Sequence, residues 1–152
     1  MKIETVTRFF SERGIETEII ELKPFFKEMH LSELLNEYLE LMGKPIKLPQ
    51  TDEESALSCL LSQEEIESCL QNEAYKALRE YRLFPIGKGL NGDVLCVNLK
   101  NGHVGYVYQK GLTEGFEELA DIYQELPVEL DKFLEVAFYS QSEPYQLKTK
   151  KS

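Results

Sequence analysis

The 152-residue chain has no apolar run longer than a few residues, far short of the roughly 20 needed to cross a bilayer as a helix. Its opening, Met1-Lys2-Ile3-Glu4-Thr5-Val6, starts an amphipathic pattern instead of a charged stretch followed by a continuous apolar one. No signal peptide is therefore expected, and the chain reads as cytoplasmic. Cysteine is scarce. Cys59, Cys69 and Cys96 form an odd set without close spacing, each in an apolar stretch, which favours reduced, buried thiols over a disulfide or a reactive site. The two histidines, His30 and His103, fall on different predicted elements. Neither has a His, Cys or Asp at H-x-x-x-H or C-x-x-C spacing, so no metal site is expected. A G-x-S-x-G elbow is missing, and a Cys-His dyad would have to be assembled from unrelated segments. These absences point to a protein-binding domain without a cofactor, and away from an enzyme.

Basic residues are outnumbered: 17 Lys and Arg stand against 27 Asp and Glu, a net charge of −10. Nucleic-acid affinity comes mainly from cations that neutralise phosphates, so the balance excludes a nucleic-acid partner and favours a basic protein. Between Lys47 and Lys76 there are seven acids and no base, among them Asp52, Glu53, Glu54, Glu64 and Glu67. Between Lys110 and Lys132 there are again seven, including Glu117, Glu118 and Asp121. Each tract is either a solvated face that keeps the chain soluble or a surface that steers a basic partner. These eight named acids are the candidate partner-binding residues.

What is present is ordinary for a globular protein: 42% apolar and 29% charged residues. The length suits a single core that buries about two-thirds of the unfolded surface. One domain is expected over residues 1–145, followed by a frayed tail, 146–152, carrying Lys148, Lys150 and Lys151.

Ile3, Val6, Phe9 and Phe10 share a helical face that Gly14 is placed to stop. Residues 15–22 alternate enough for a strand, with a helix left open, and Pro24 breaks either. Leu31, Leu34, Leu35, Tyr38, Leu39 and Met42 recur at helical spacing, with Ser32 as N-cap and Gly43 as the stop. Residues 44–55 read as a loop or short edge element, and 56–61 as a short strand. Ser62-Gln63-Glu64-Glu65 is a capping box that opens a helix running to about Glu80, with Ile66, Cys69, Leu70, Ala74, Ala77 and Leu78 inward. Residues 83–86, 94–99 and 104–108 then form a β-meander over about 82–109, with Asn101-Gly102 as a tight turn. Residues 111–126 stay ambiguous. Pro127 suits the first turn of a last helix whose inward face is Leu130, Phe133, Leu134, Ala137 and Phe138. The spacing favours core positions for Tyr38, Tyr75, Tyr106 and Tyr108. The fold class is α+β, a central antiparallel sheet packed by N-terminal, middle and C-terminal helices.

Gly87-Lys88-Gly89-Leu90-Asn91-Gly92 is a literal G-x-G-x-x-G. A dinucleotide site needs a helix straight after the glycines, whereas residues 93–99 read as a strand. A kinase would also need an H-R-D loop and a D-F-G triplet, and neither is present. The glycines are therefore expected to serve hairpin backbone conformation and not phosphate.

The order of these elements resembles the SUKH superfamily, named after a fungal cell-wall and glucan-synthesis regulator and rich in bacterial immunity proteins. The resemblance spans roughly residues 31–140. Leu34-Leu35-Asn36-Glu37-Tyr38-Leu39-Glu40-Leu41-Met42-Gly43 is similar to the family's early helix ending in glycine. Leu60-Leu61-Ser62-Gln63-Glu64-Glu65-Ile66 is similar to its strand and acid-opened helix. Leu83-Phe84-Pro85-Ile86-Gly87, followed by Asn91-Gly92-Asp93-Val94-Leu95-Cys96-Val97-Asn98-Leu99, resembles its strand, glycine turn, Gly-Asp pair and second strand. Ile86, Gly87, Gly92 and Asp93 would then be fold signature and not catalytic residues. The first thirty residues match poorly, and the aromatic-glycine pair after the early helix is reduced to Gly43. The resemblance implies a cytoplasmic immunity protein that neutralises a cognate toxin of the nuclease type, hence basic, by direct binding. Its fungal branch implies instead a regulatory protein-binding scaffold. An enzyme using residues 87–92 for a nucleotide is the third reading.

Overall fold

A computed structural model describes residues 3–12, 14–47, 57–89 and 92–139. The first helix, α1 (Ile3–Glu12), gives way at Gly14, whose φ of 72° leads the chain out as the sequence predicts. Val6 and Phe10, about one turn apart, are fully buried. Residues 15–22, whose alternation suggests a strand with a helix left open, run irregularly on to Lys23 and join no sheet among the described residues. Here the Ile20 N–H donates to the Glu40 carbonyl at the end of a helix, and the Lys23 N–H donates to Gln63 Oε1. These isolated partners offer single acceptors and no ladder, so alternation alone does not make a strand. Pro24 takes the first turn of α2 (Pro24–Lys27), where the N–H it lacks would have had no helical partner. Phe26 of α2 meets Phe84 edge-on, ring centroids 5.9 Å apart.

Ser32 caps α3 (Glu33–Glu40) by accepting from the Leu35 N–H, and Leu35, Tyr38, Leu39 and Met42 are buried. Gly43 does not stop this helix, because Leu41 already caps it in a right-handed conformation. Gly43 lies against Ile20 instead, whose Cγ2 would stand 3.1 Å from an added Cβ. The capping box at Ser62 and Glu65 forms in full at the start of α4 (Gln63–Gln71). That helix does not continue to Glu80. Asn72 is extended, and its side chain accepts from the Ala74 N–H at 2.9 Å. A 3-10 turn (Glu73–Tyr75) follows, then α5 (Lys76–Glu80). Asparagine competes for the backbone more effectively as a cap than within a helix. Ala74 is exposed as a result, while Ile66, Cys69, Leu70, Ala77 and Leu78 are buried as expected.

Six antiparallel strands pair in chain order: β1 (Ile46–Lys47), β2 (Leu57–Leu60), β3 (Leu83–Gly89), β4 (Val94–Asn98), β5 (His103–Val107) and β6 (Tyr123–Glu129). The architecture is α+β, and the expected meander is the centre of a wider sheet. Residues 94–97 and 104–107 are buried without a break. Neighbouring side chains point to opposite faces, so both faces are covered. α4 and α5 pack on β3, while α7 (Leu130–Tyr139) packs on β5, β6 and α1. The ambiguous stretch after β5 resolves into α6 (Gln109–Glu114), a 3-10 turn (Leu119–Asp121) and β6.

Pro127 opens no helix. It sits in β6, where the register breaks between the Gly105–Glu125 and His103–Glu129 pairs, because a bulge in an edge strand accommodates a residue with no N–H. Leu130, Phe133 and Leu134 of α7 are buried; the side chains of Ala137 and Phe138 and the tail at 146–152 lie outside the described set. The turn before β5 spans four residues, closed by Gly102 N–H to the Asn98 carbonyl at 2.7 Å. Gly102 alone of the Asn101-Gly102 pair has a positive φ. Of the four tyrosines expected inside, Tyr38 and Tyr106 are buried, and Tyr75 and Tyr108 are half-buried.

Candidate functional site

The strand order separates the two acidic tracts. Glu64 and Glu67 follow β2 on α4, whereas Glu117, Glu118 and Asp121 precede β6. Four strand spacings, about 19 Å at roughly 4.8 Å each, lie between those strands. Asp52, Glu53 and Glu54 fall outside the described residues. Glu64 is exposed in the first turn of α4, where the helix dipole favours a negative charge. Glu67 is committed internally: its Oε1 lies 3.0 Å from Lys23 Nζ, which fastens the segment before α2 to α4.

In the second tract, the Glu118 N–H donates to Asp121 Oδ2 at 3.0 Å and the Asp121 N–H donates to the Glu118 carbonyl at 2.9 Å, which closes the turn. Glu114, Glu117, Glu118, Asp121, Glu125 and Glu129 are all exposed. They run from the end of α6, through the 3-10 turn, onto β6, which among the described residues pairs only with β5 and forms the edge of the sheet. This unit is held tightly: the Tyr108 N–H donates to the Ile122 carbonyl at 2.7 Å, and Gly111 packs directly against Ile122.

A polar network unforeseen from the sequence anchors the same edge. Glu125 Oε1 accepts from Asn98 Nδ2 (2.8 Å) and Tyr123 Oη (2.9 Å), Oε2 accepts from Asn101 Nδ2 (3.0 Å), and His103 Nδ1 lies 3.6 Å away. Burial pushes the Glu125 carboxyl up, but the bonds from Asn98, Tyr123 and Asn101, with His103 alongside, outweigh it and hold the group below the usual value. Burial raises the Tyr123 phenol, and its bond to Glu125 raises it further. The Tyr123 ring lies across Gly105, 2.6 Å from where a Cβ would be, so the ring fills the space the glycine leaves.

The Gly92-Asp93 pair holds backbone in place. Gly92 has a φ of 89°. The buried Asp93 carboxylate accepts from the Gln109 N–H at the start of α6, and Gln109 Nε2 donates to Tyr75 Oη. Gly87 and Gly89 lie within β3, and the Gly89 and Gly92 N–H groups donate to the Asp93 and Gly89 carbonyls. β4 follows them, as expected, where a phosphate site would need a helix. Gln63, a second residue the sequence did not flag, is buried and ties α4 to two other segments, α3 and the stretch before α2: Nε2 donates to the Leu39 and Glu21 carbonyls and Oε1 accepts from Lys23 N–H.

Cys69 and Cys96 are buried, Cys59 half-buried, and all three are free. Burial pushes Cys69 up to about 11 and the fully buried Cys96 well above its ordinary value, and burial followed by Glu65 raises Cys59, so these thiols are held in the protonated, poorly nucleophilic form. Among the described residues, no group of three or more His, Cys, Asp or Glu side chains is arranged to hold a metal ion, and no helix is long and apolar enough to cross a membrane. Comparisons with protein-family models, curated proteins and solved structures find no match to this chain.

Proposed function

We propose that the chain is an immunity protein that neutralises a basic, nuclease-type toxin domain by direct binding, occupying the toxin's substrate groove with the acidic α6–β6 edge. The observation that carries this reading is the run of six exposed carboxylates along one locally braced edge, uninterrupted by any Lys or Arg between Lys110 and Lys132. Charge of one sign on a rigid surface accelerates encounter with the opposite sign. The resemblance to the SUKH superfamily supports the same reading, and the regulatory scaffold remains its rival within that resemblance.

Glu114 and Glu117 make no side-chain hydrogen bond or ion pair among the described residues, so reversing them leaves the local bracing intact. The test is the association rate with a basic toxin domain encoded beside this gene, for the wild type and for a Glu114→Lys, Glu117→Lys variant. The wild type should associate at least about tenfold faster than the variant at low salt, and the gap should close near 1 M salt, where screening acts within about 3 Å. Equal rates at low salt, or no binding of the toxin domain, would sink the proposal.

A further inference from the structure

Two described residues other than glycine have left-handed backbones, His30 (φ 54°) and Arg82 (φ 57°). Each follows a short helix, His30 after α2 and Arg82 after the Tyr81 cap of α5. Helices commonly end on glycine in this conformation because a Cβ is strained there. Both residues line one cleft of about 420 Å³ between residues 29–35 and the β4–β5 turn. A smaller cleft of about 170 Å³ beside α5 shares Met29, Arg82 and Leu99 with it, so the two form one groove.

The groove reverses the charge of the molecule. Acids outnumber bases 27 to 17 in the chain, yet the groove's charged lining is Arg79, Arg82 and Lys100 against Glu129 alone, with His30 at the rim. Arg82 and Lys100 make no ion pair among the described residues, and Arg79 has only an exposed contact with Glu73 at 3.6 Å. Lys100 sits on a fixed turn: its N–H donates to Asn98 Oδ1, and Asn98 and Asn101 are both anchored on Glu125. Met29, Leu70, Leu78 and Leu99 supply apolar walls.

We infer that this groove is a docking site for an acidic peptide segment of a partner protein, with carboxylates on Arg82 and Lys100 and an adjacent apolar side chain against Met29 and Leu99. The strained backbone at His30 and Arg82 holds long side chains where glycine would relax the fold, which fits a binding role for them. The inference does not rest on the immunity reading, since the α6–β6 edge selects a basic surface and the groove an acidic one, with Glu129 on the border of both.

The test is an amide-shift titration of the full-length, isotope-labelled chain with a hexapeptide alternating glutamate and leucine. Shifts should concentrate at residues 29–35, 79–83 and 99–102. Binding should weaken at least about fivefold, the scale of two exposed ion pairs, with the Arg82→Gly, Lys100→Gln variant and with a glutamine–leucine peptide. The Arg82→Gly variant alone should melt at or above the wild-type temperature, because the strain is removed. Arg82→Gln keeps the backbone strain and removes the charge, and it should weaken binding in the same direction. Absence of shifts at these residues, or undiminished binding by either charge variant or by the glutamine peptide, overturns the proposal. So does a response to octanoate but not to the peptide, which would assign the groove to a small amphipathic anion.

Discussion

At the β2–α4 end of the sheet, carboxylates are turned to the chain's own groups: Glu65 closes the capping box and Glu67 holds Lys23, beside the buried Gln63. At the β6 end, Glu118 and Asp121 brace the turn and Glu125 gathers Asn98, Asn101 and Tyr123, while Glu114 and Glu117 remain in solvent. The same residue types at similar density thus perform different work. The difference comes from what the tertiary fold brings within hydrogen-bond reach, and it teaches that engaged carboxylates such as Asp121 and Glu125 brace an acidic edge, while free ones such as Glu114 and Glu117 are what it offers a partner.

The largest effect expected from this contrast lies at the first end. Gln63→Leu should destabilise by about 3 kcal/mol, because the Leu39 and Glu21 carbonyls and the Lys23 N–H lose their partner where burial limits access of water; urea unfolding measures it. At the β6 end, Gly105→Ala should cost about 2 kcal/mol by forcing the Tyr123 ring off the sheet, with a loss of structure at Tyr123 visible in its ring NMR signals. Glu125→Gln should cost about 1 kcal/mol near neutral pH. Because the folded-state Glu125 pKa lies below its ordinary 4.5, the wild-type network's contribution is fully present above that value and is lost as pH falls through the lowered one. Thermal melts from pH 6 down to pH 3 should therefore converge for wild type and variant, and parallel curves would deny the network its electrostatic role. Lys23→Met should cost under about 1 kcal/mol, since the pair with Glu67 is partly exposed. A larger loss in the same unfolding assay would mean that the segment before α2 depends on it.

Much of the fold was legible locally. The Ser62 box, the Ser32 cap, the exit at Gly14 and the three central strands depend on residues within a few positions of one another, and the structure bears them out. The misreadings share a cause. At residues 15–22 the alternation was real but no strand edge lay alongside among the described residues; at Asn72 a side chain captured the backbone that helical periodicity would have carried through; at Pro127 an edge bulge served as well as a helix start. The Glu125 network was illegible because a break in register sets which residue faces Gly105, and register is a property of paired strands.

The amino-acid sequence by itself determined the α+β class, the charge imbalance, the caps and the turn positions, since each follows from composition or short-range bonding. Only the tertiary structure decided that Glu64 and Glu67 lie on α4 over β3 while the second acidic tract runs along β6, that Glu67 and Glu125 are engaged within the chain, and that Arg79, Arg82 and Lys100 line one groove in an otherwise acidic molecule. Those facts depend on which distant segments come into contact, and pairing across tens of residues is set by packing of the whole core, not by local propensity.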